Sequence, residues 1–141
     1  MTTVALIVAA GRGARFGSDI PKQYVALGGQ PLLRHCVANL AGHPSIAGVR
    51  VVFEPSTDAH YSAAVDGLPV MPPVAGGASR QESVRLGLES LADLAPDKVL
   101  IHDGARPFCE PDLVDRVLDG LATREGAIAA LSVLDTLKRA D

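Results

Sequence analysis

Apolar residues along this chain fall into short unbroken runs that alternate with stretches of helical spacing. Val4–Ala9 is one such run. It is rich in β-branched residues and reads as a strand buried on both faces. Gly28-Gly29 marks a turn, and Pro31 suits the first position of a helix. Leu32, Leu33, Cys36, Val37 and Leu40 then recur at helical spacing until Gly42 and Pro44 end the helix. Val49–Phe53 is a second strand, residues 58–65 form a short helix, and Leu68–Met71 is a short strand ahead of Pro72-Pro73. Ser79 and Glu82 have the spacing of a capping box. They predict a helix that buries Val84, Leu88, Leu91 and Ala92 along one stripe. Val99–His102 is the next buried strand. Pro111 opens a helix with Leu113, Val114, Val117, Leu118 and Leu121 on its apolar face, and Gly126 closes it. Ala127–Val133 is the last predicted strand. Alternation of this kind calls for an α/β fold: a Rossmann-like, mainly parallel sheet with helices on both faces.

Composition narrows the class. A chain of 141 residues is one domain, long enough to bury a core. Apolar residues make up 48% and charged ones 21%, a globular balance. With no tryptophan and few aromatics, the core must be aliphatic. The net charge of −3 argues against a nucleic-acid binder, which needs a basic surplus or stripe. A local cationic loop on a mildly acidic chain suits a small anionic ligand better. Cys36 and Cys109 show no metal-ligand spacing, and reduced thiols are the expected state. No signal segment opens the chain and no apolar run approaches a membrane span, so a cytoplasmic location is expected. There is no internal repeat, low-complexity tract or linker.

The chemistry gathers directly after the first strand. Gly11, Gly13 and Gly17 are interleaved with Arg12 and Arg15, and Lys22 follows shortly after. Glycines allow a sharp turn and a close backbone approach, and successive N–H groups in such a loop cradle anions. The dinucleotide pattern G-x-G-x-x-G fails, because Phe16 stands where its third glycine belongs. The Walker loop fails as well, since the chain has no Gly-Lys pair. Taken alone, the loop is equally well a tight turn with solvated arginines. Asp103 lies just past a strand's carboxyl end, where open α/β sheets place ligands, though an Asp-Gly pair also suits a turn.

Ala9-Ala-Gly-Arg-Gly-Ala-Arg15 followed by Pro21-Lys-Gln-Tyr24 resembles the signature of nucleotidyltransferases that attach a nucleoside monophosphate to a phosphorylated small molecule. The Pro-Lys-Gln-Tyr ending is similar to one branch, the 2-C-methyl-D-erythritol 4-phosphate cytidylyltransferases of the non-mevalonate isoprenoid pathway. Gly76-Gly-Ala-Ser-Arg-Gln-Glu-Ser-Val84, His102-Asp-Gly-Ala-Arg-Pro107 and Asp135-Thr-Leu-Lys-Arg139 follow in the family's order.

The resemblance implies CTP and methylerythritol phosphate as substrates, Mg²⁺ or another hard divalent cation as cofactor, and a homodimer. It also implies that the main chain of Ala9, Ala10, Gly11 and Gly13 lines the nucleotide site, with Gly77, Ala78 and Ser83 at the cytosine and its ribose. Asp103 would take part in metal and substrate binding, Gly104 would join it, and Arg106 would meet the acceptor phosphate. Thr136 would reach the acceptor in a neighbouring subunit's site. Arg15 and Lys22 are the candidate catalytic cations, a planar guanidinium and a compact ammonium facing the charge that builds at the α-phosphorus. The attacking group is already an anion, so His102 reads as a strand residue rather than a base.

Family members continue past Asp141. The chain is therefore expected to lack the end of a subunit-pairing arm and the last site residues. Two alternatives stay open: a nucleotidyltransferase with another phosphorylated acceptor, since spacing does not reveal base choice, and a nucleotide-binding module without turnover.

Overall fold

The computed structural model describes residues 1–11 and 20–139. Two compact units result, Met1–Cys109 and Glu110–Asp141.

The first unit is built on a four-stranded parallel sheet of order β5-β4-β1-β6. β1 is Thr3–Ala9, β4 is Gly48–Phe53, β5 is Val74–Ala75 and β6 is Lys98–Asp103. A small antiparallel hairpin, β2 (Ala26–Leu27) and β3 (Gln30–Pro31), stands apart from the sheet. Gly28 and Gly29 make its turn with φ of 60° and 83°, the left-handed region that glycine enters without steric cost. Among the described residues three helices belong to this unit: α1 (Leu32–Ala41), α2 (Asp58–Val65) and α3 (Arg80–Glu89). Single 3₁₀ turns lie at Lys22–Tyr24, Pro55–Thr57 and Ala92–Leu94.

Side chains alternate across a strand, and β1 uses both of its faces. Ile7 and Ala9 lie on the side of Leu33 from α1, where Gly104 also packs. Phe53 meets Tyr61 of α2 on that same side, ring centroids 4.6 Å apart. Leu6 and Val52 lie on the opposite side, against α3. The helices therefore cover both faces, and β1 is buried along nearly its whole length, as its unbroken apolar run requires. The core is aliphatic: Leu6, Ile7, Leu33, Val37, Val49 and Val51 are among the residues sealed from solvent.

Five expectations are corrected. The buried stripe of α3 is Ser83 and Gly87, continued by Leu91, while Leu88 is 39% exposed and Val84 half-buried. Space decides this, because a Cβ on Gly87 would come within 2.8 Å of both Leu6 and Val52. The helix lies so close to the sheet that only small side chains fit between them. β6 is not a buried strand, since Ile101 is 45% exposed on the outer strand of the described sheet. Residues 68–71 meet the sheet through one bond, Met71 N–H to the Val49 carbonyl at 2.9 Å, and the ladder forms at Val74–Ala75 instead. Pro72 and Pro73 have no N–H with which to continue a ladder earlier.

In the second unit Pro111 opens α4 (Pro111–Gly120), which ends at Gly120 rather than at Gly126. Val114 is buried, with Leu113, Val117, Leu118 and Leu121 half-buried. The fifth correction is the expected strand at 127–133. Among the described residues no strand forms there, and Ile128, Leu131 and Val133 are exposed. A strand exists only when its backbone groups are paired, and no described segment pairs with this one.

Gly87→Val should overpack the contact between α3 and the sheet. We expect a loss of about 1–3 kcal/mol in folding stability, read by denaturant titration of the full-length protein, with little change for Leu88→Ala on the exposed side of the helix.

Candidate functional site

Each strand of the parallel sheet ends at the same edge, and there a cavity of about 560 Å³ opens within the first unit. Ala10 and Gly11 line it beyond β1, Glu54 beyond β4, Gly77 to Arg80 beyond β5, and Asp103 at the end of β6, with Ser83 from α3. This is where open α/β sheets bind ligands, because loops leave the strands in opposite directions and part there.

The walls are shaped by close approach. A Cβ on Gly76 would overlap the Cβ of Ala10 and lie 2.9 Å from Ser83 Oγ. Gly76 itself is tied to the sheet by its N–H to the Phe53 carbonyl at 2.8 Å. The following amides are already engaged. Gly77 N–H donates to Ser83 Oγ at 3.1 Å, and Ala78 N–H to Glu82 Oε2 at 2.9 Å. Ser79 caps α3, its Oγ accepting from Glu82 N–H at 3.1 Å. The expected capping box is thus present in modified form, with Glu82 reaching the amide one residue before the cap. What Gly77 and Ala78 can present to a ligand is bare backbone and carbonyl oxygen.

Asp103 is the electrostatic centre of the opposite wall. Arg80 donates to its Oδ1 from Nε at 3.1 Å and from Nη2 at 2.9 Å, and Arg106 Nε donates to Oδ2 at 2.9 Å. Burial works to raise the carboxyl's pKa. The hydrogen bonds and charge of Arg80, with those of Arg106, outweigh it and hold the group below the ordinary carboxylate value. His102 Nε2 donates to the Arg106 carbonyl at 2.9 Å, so this histidine shapes the loop. Behind it, Cys36 Sγ lies 3.8 Å from the Asp103 carbonyl. Burial pushes the Cys36 thiol up to about 11, which keeps it protonated at neutral pH as a packing group.

The residues singled out by sequence distribute as follows. Ala10, Gly11, Gly77, Ala78, Ser83 and Asp103 come together on the cavity. Ala9 is the buried last residue of β1. Gly104 is buried, and a Cβ there would come within 2.9 Å of Ala9 Cβ, so its visible part is packing. Arg106 reaches the site through Asp103. Lys22 is exposed at the head of its 3₁₀ turn. Thr136 lies exposed in the second unit. Gly13 and Arg15 fall outside the described residues. Among the described residues no group of three or more histidine, cysteine, aspartate or glutamate side chains is placed to hold a metal ion, and no helix is long and apolar enough to cross a membrane. Sequence reasoning missed Glu54 and left Arg80 without a role. Glu54 follows β4 directly, and a carboxylate at a strand's carboxyl end is the same signal that marked Asp103.

The parallel sheet with this crevice matches the nucleotidyltransferase-like α/β fold of solved cytidylyltransferases. A solved 4-diphosphocytidyl-2C-methyl-D-erythritol synthase superposes with a TM-score of 0.79 at 32% identity, covering 100% of this chain and 64% of that one. The 2-C-methyl-D-erythritol 4-phosphate cytidylyltransferase of Thermus thermophilus superposes at 0.73 with 33% identity, covering 99% and 59%. Residues 3–141 match the family model described as IspD, 2-C-methyl-D-erythritol 4-phosphate cytidylyltransferase, and the chain belongs to that family. The bifunctional enzyme IspD/IspF of Rhodospirillum rubrum is 60% identical over 136 residues, and that of Paramagnetospirillum magneticum is 55% identical over 137. The alignments cover 96% and 97% of this chain, but only 35% and 36% of those proteins.

Asp103 should titrate below the ordinary aspartate value when followed by carboxyl NMR, and Arg80→Ala should move it upward. Since the folded value is depressed, the carboxylate's contribution to stability is present above the unfolded value and lost as pH falls through the folded one. An unchanged Asp103 titration in Arg80→Ala would count against the pairing.

Proposed function

We propose that the protein containing this chain transfers CMP from CTP to 2-C-methyl-D-erythritol 4-phosphate and releases pyrophosphate. The observation that carries this reading is the cavity at the strand ends, with Ala10 and Gly11 on one side, Gly77, Ala78 and Ser83 on another, and Asp103 between two arginines. Family membership supplies the substrate class.

The base preference has a physical support. With the amides of Gly77 and Ala78 engaged by Ser83 and Glu82, the wall favours a base edge that donates. Cytosine carries an amino donor where uracil carries a carbonyl acceptor. At the reacting end, an oxygen of the acceptor phosphate forms a bond to the α-phosphorus while the bond to the pyrophosphate oxygen breaks. Positioning and cationic stabilisation account for most of the acceleration. Lys22 and Arg15 would supply that charge, and Arg106 would meet the acceptor phosphate. Asp103 is the carboxylate available to a divalent cation, which would screen the triphosphate's charge. Both of its oxygens are engaged by guanidinium groups, so it becomes available as Arg80 or Arg106 turns to phosphate instead. A two-subunit assembly, with Thr136 reaching the neighbouring site, and a cytoplasmic location complete the reading.

Pyrophosphate release by the full-length protein, measured with each nucleoside triphosphate and methylerythritol phosphate, tests this directly. CTP should be preferred, and preference for UTP or GTP would overturn the assignment. Lys22→Ala should lower kcat by about 10²–10³-fold while the protein still folds, since the side chain is exposed at the surface.

A further inference from the structure

Gln23 has no part in the chemistry described so far, yet its side chain is placed with unusual economy. The residue is 5% exposed. Its Nε2 donates to the Ala9 carbonyl at 2.6 Å and to the Gly11 carbonyl at 3.0 Å. The two hydrogens of one amide nitrogen thus hold the two carbonyls on either side of Ala10, at the point where β1 ends and the glycine loop begins. Gln23 is itself fixed. Its 3₁₀ turn is closed by Tyr24 N–H to the Pro21 carbonyl at 2.9 Å, and the buried Tyr24 hydroxyl is 3.0 Å from Thr57 Oγ1.

Which carbonyls are held is informative. A backbone loop attracts a polyanion when its N–H groups face the ligand and its carbonyl oxygens, which carry partial negative charge, face away. Across a trans peptide the carbonyl and the next N–H point in opposite directions. Drawing the Ala9 carbonyl toward Gln23 therefore turns the Ala10 N–H to the other side. Ala10 and Gly11 both line the cavity. Past Ala9 the strand no longer orients the peptide planes, and Gln23 takes over that task at Ala10 and Gly11.

We infer that Gln23 is a positioning residue for the nucleotide's phosphates, acting through the Ala9 and Gly11 carbonyls. The inference rests on the nucleotide-binding reading above. Glutamine is well suited to the task, because it offers two donors on one atom without adding a charge that would compete with Lys22.

The test uses the full-length protein and steady-state pyrophosphate release. Gln23→Met keeps the volume and removes both donors. It should raise the CTP KM about tenfold and leave the KM for methylerythritol phosphate within about twofold. Gln23→Glu should behave likewise at about pH 8, where a carboxylate would face two carbonyls. It should recover partway at about pH 6, because burial raises the carboxyl's pKa and the protonated form donates one bond. An unchanged CTP KM in Gln23→Met, an equal rise in both KM values, or a Gln23→Glu profile parallel to wild type across pH would overturn the inference. If Gln23→Met does not fold, the Gln23→Glu profile alone decides. Wild-type protein that releases no pyrophosphate from CTP would remove the functional reading itself. A competent wild type matched by Gln23→Met removes only the role given to Gln23.

Discussion

The site depends on the register between β1 and β6. Val8 lies opposite Asp103 and Ile7 opposite His102. Because side chains alternate, this pairing puts Asp103 on the face of the sheet that α3 covers, within reach of Arg80. His102 goes to the other face. A slip of one residue would exchange the two and leave the carboxylate on the wrong side of the sheet. The register is held by the apolar sequence of β1, whose residues are buried against a helix layer on each face and have no alternative placement of equal burial.

Close packing then converts the register into a pocket. Gly87 lets α3 lie near the sheet, Gly104 lets the loop after β6 rest on Ala9, and Gly76 lets the chain after β5 pass beside Ala10. In each place a methyl group would meet another atom within 3 Å. The cavity is thus bounded by backbone at several points, and side chains enter it from a few positions: Glu54, Ser79, Arg80, Ser83 and Asp103.

Much of this was legible in the residues. The run Val4–Ala9 could only be an interior strand, and the spacing from Leu32 to Leu40 could only be one face of a helix. The boundary signals at Ser79, Pro111 and Gly42 also correspond to real helix ends. Where reading failed, the missing quantity was distance between elements. Hydrophobicity placed Leu88 inward, but the gap beneath α3 admits only the serine and glycine of the adjacent stripe. The apolar run at 127–133 suggested a strand, yet pattern alone does not supply a neighbour to pair with. The ion pair between Arg80 and Asp103 spans 23 positions of sequence, and no local periodicity reveals it. Gln23 was visible as part of a motif, but its hydrogen bonds across 14 and 12 positions were not.

The paired arginines have a consequence for how the pocket responds to its medium. Their side chains are 62% and 77% exposed, while the carboxylate between them is 33% exposed. Contacts open to this degree weaken as salt is added, the more so as the screening length falls from about 8 Å at 0.15 M ionic strength to about 3 Å at 1 M. The hold on Asp103 is therefore tighter in dilute buffer and looser in brine. How firmly either guanidinium holds the carboxylate is set by the surrounding electrolyte as well as by the fold.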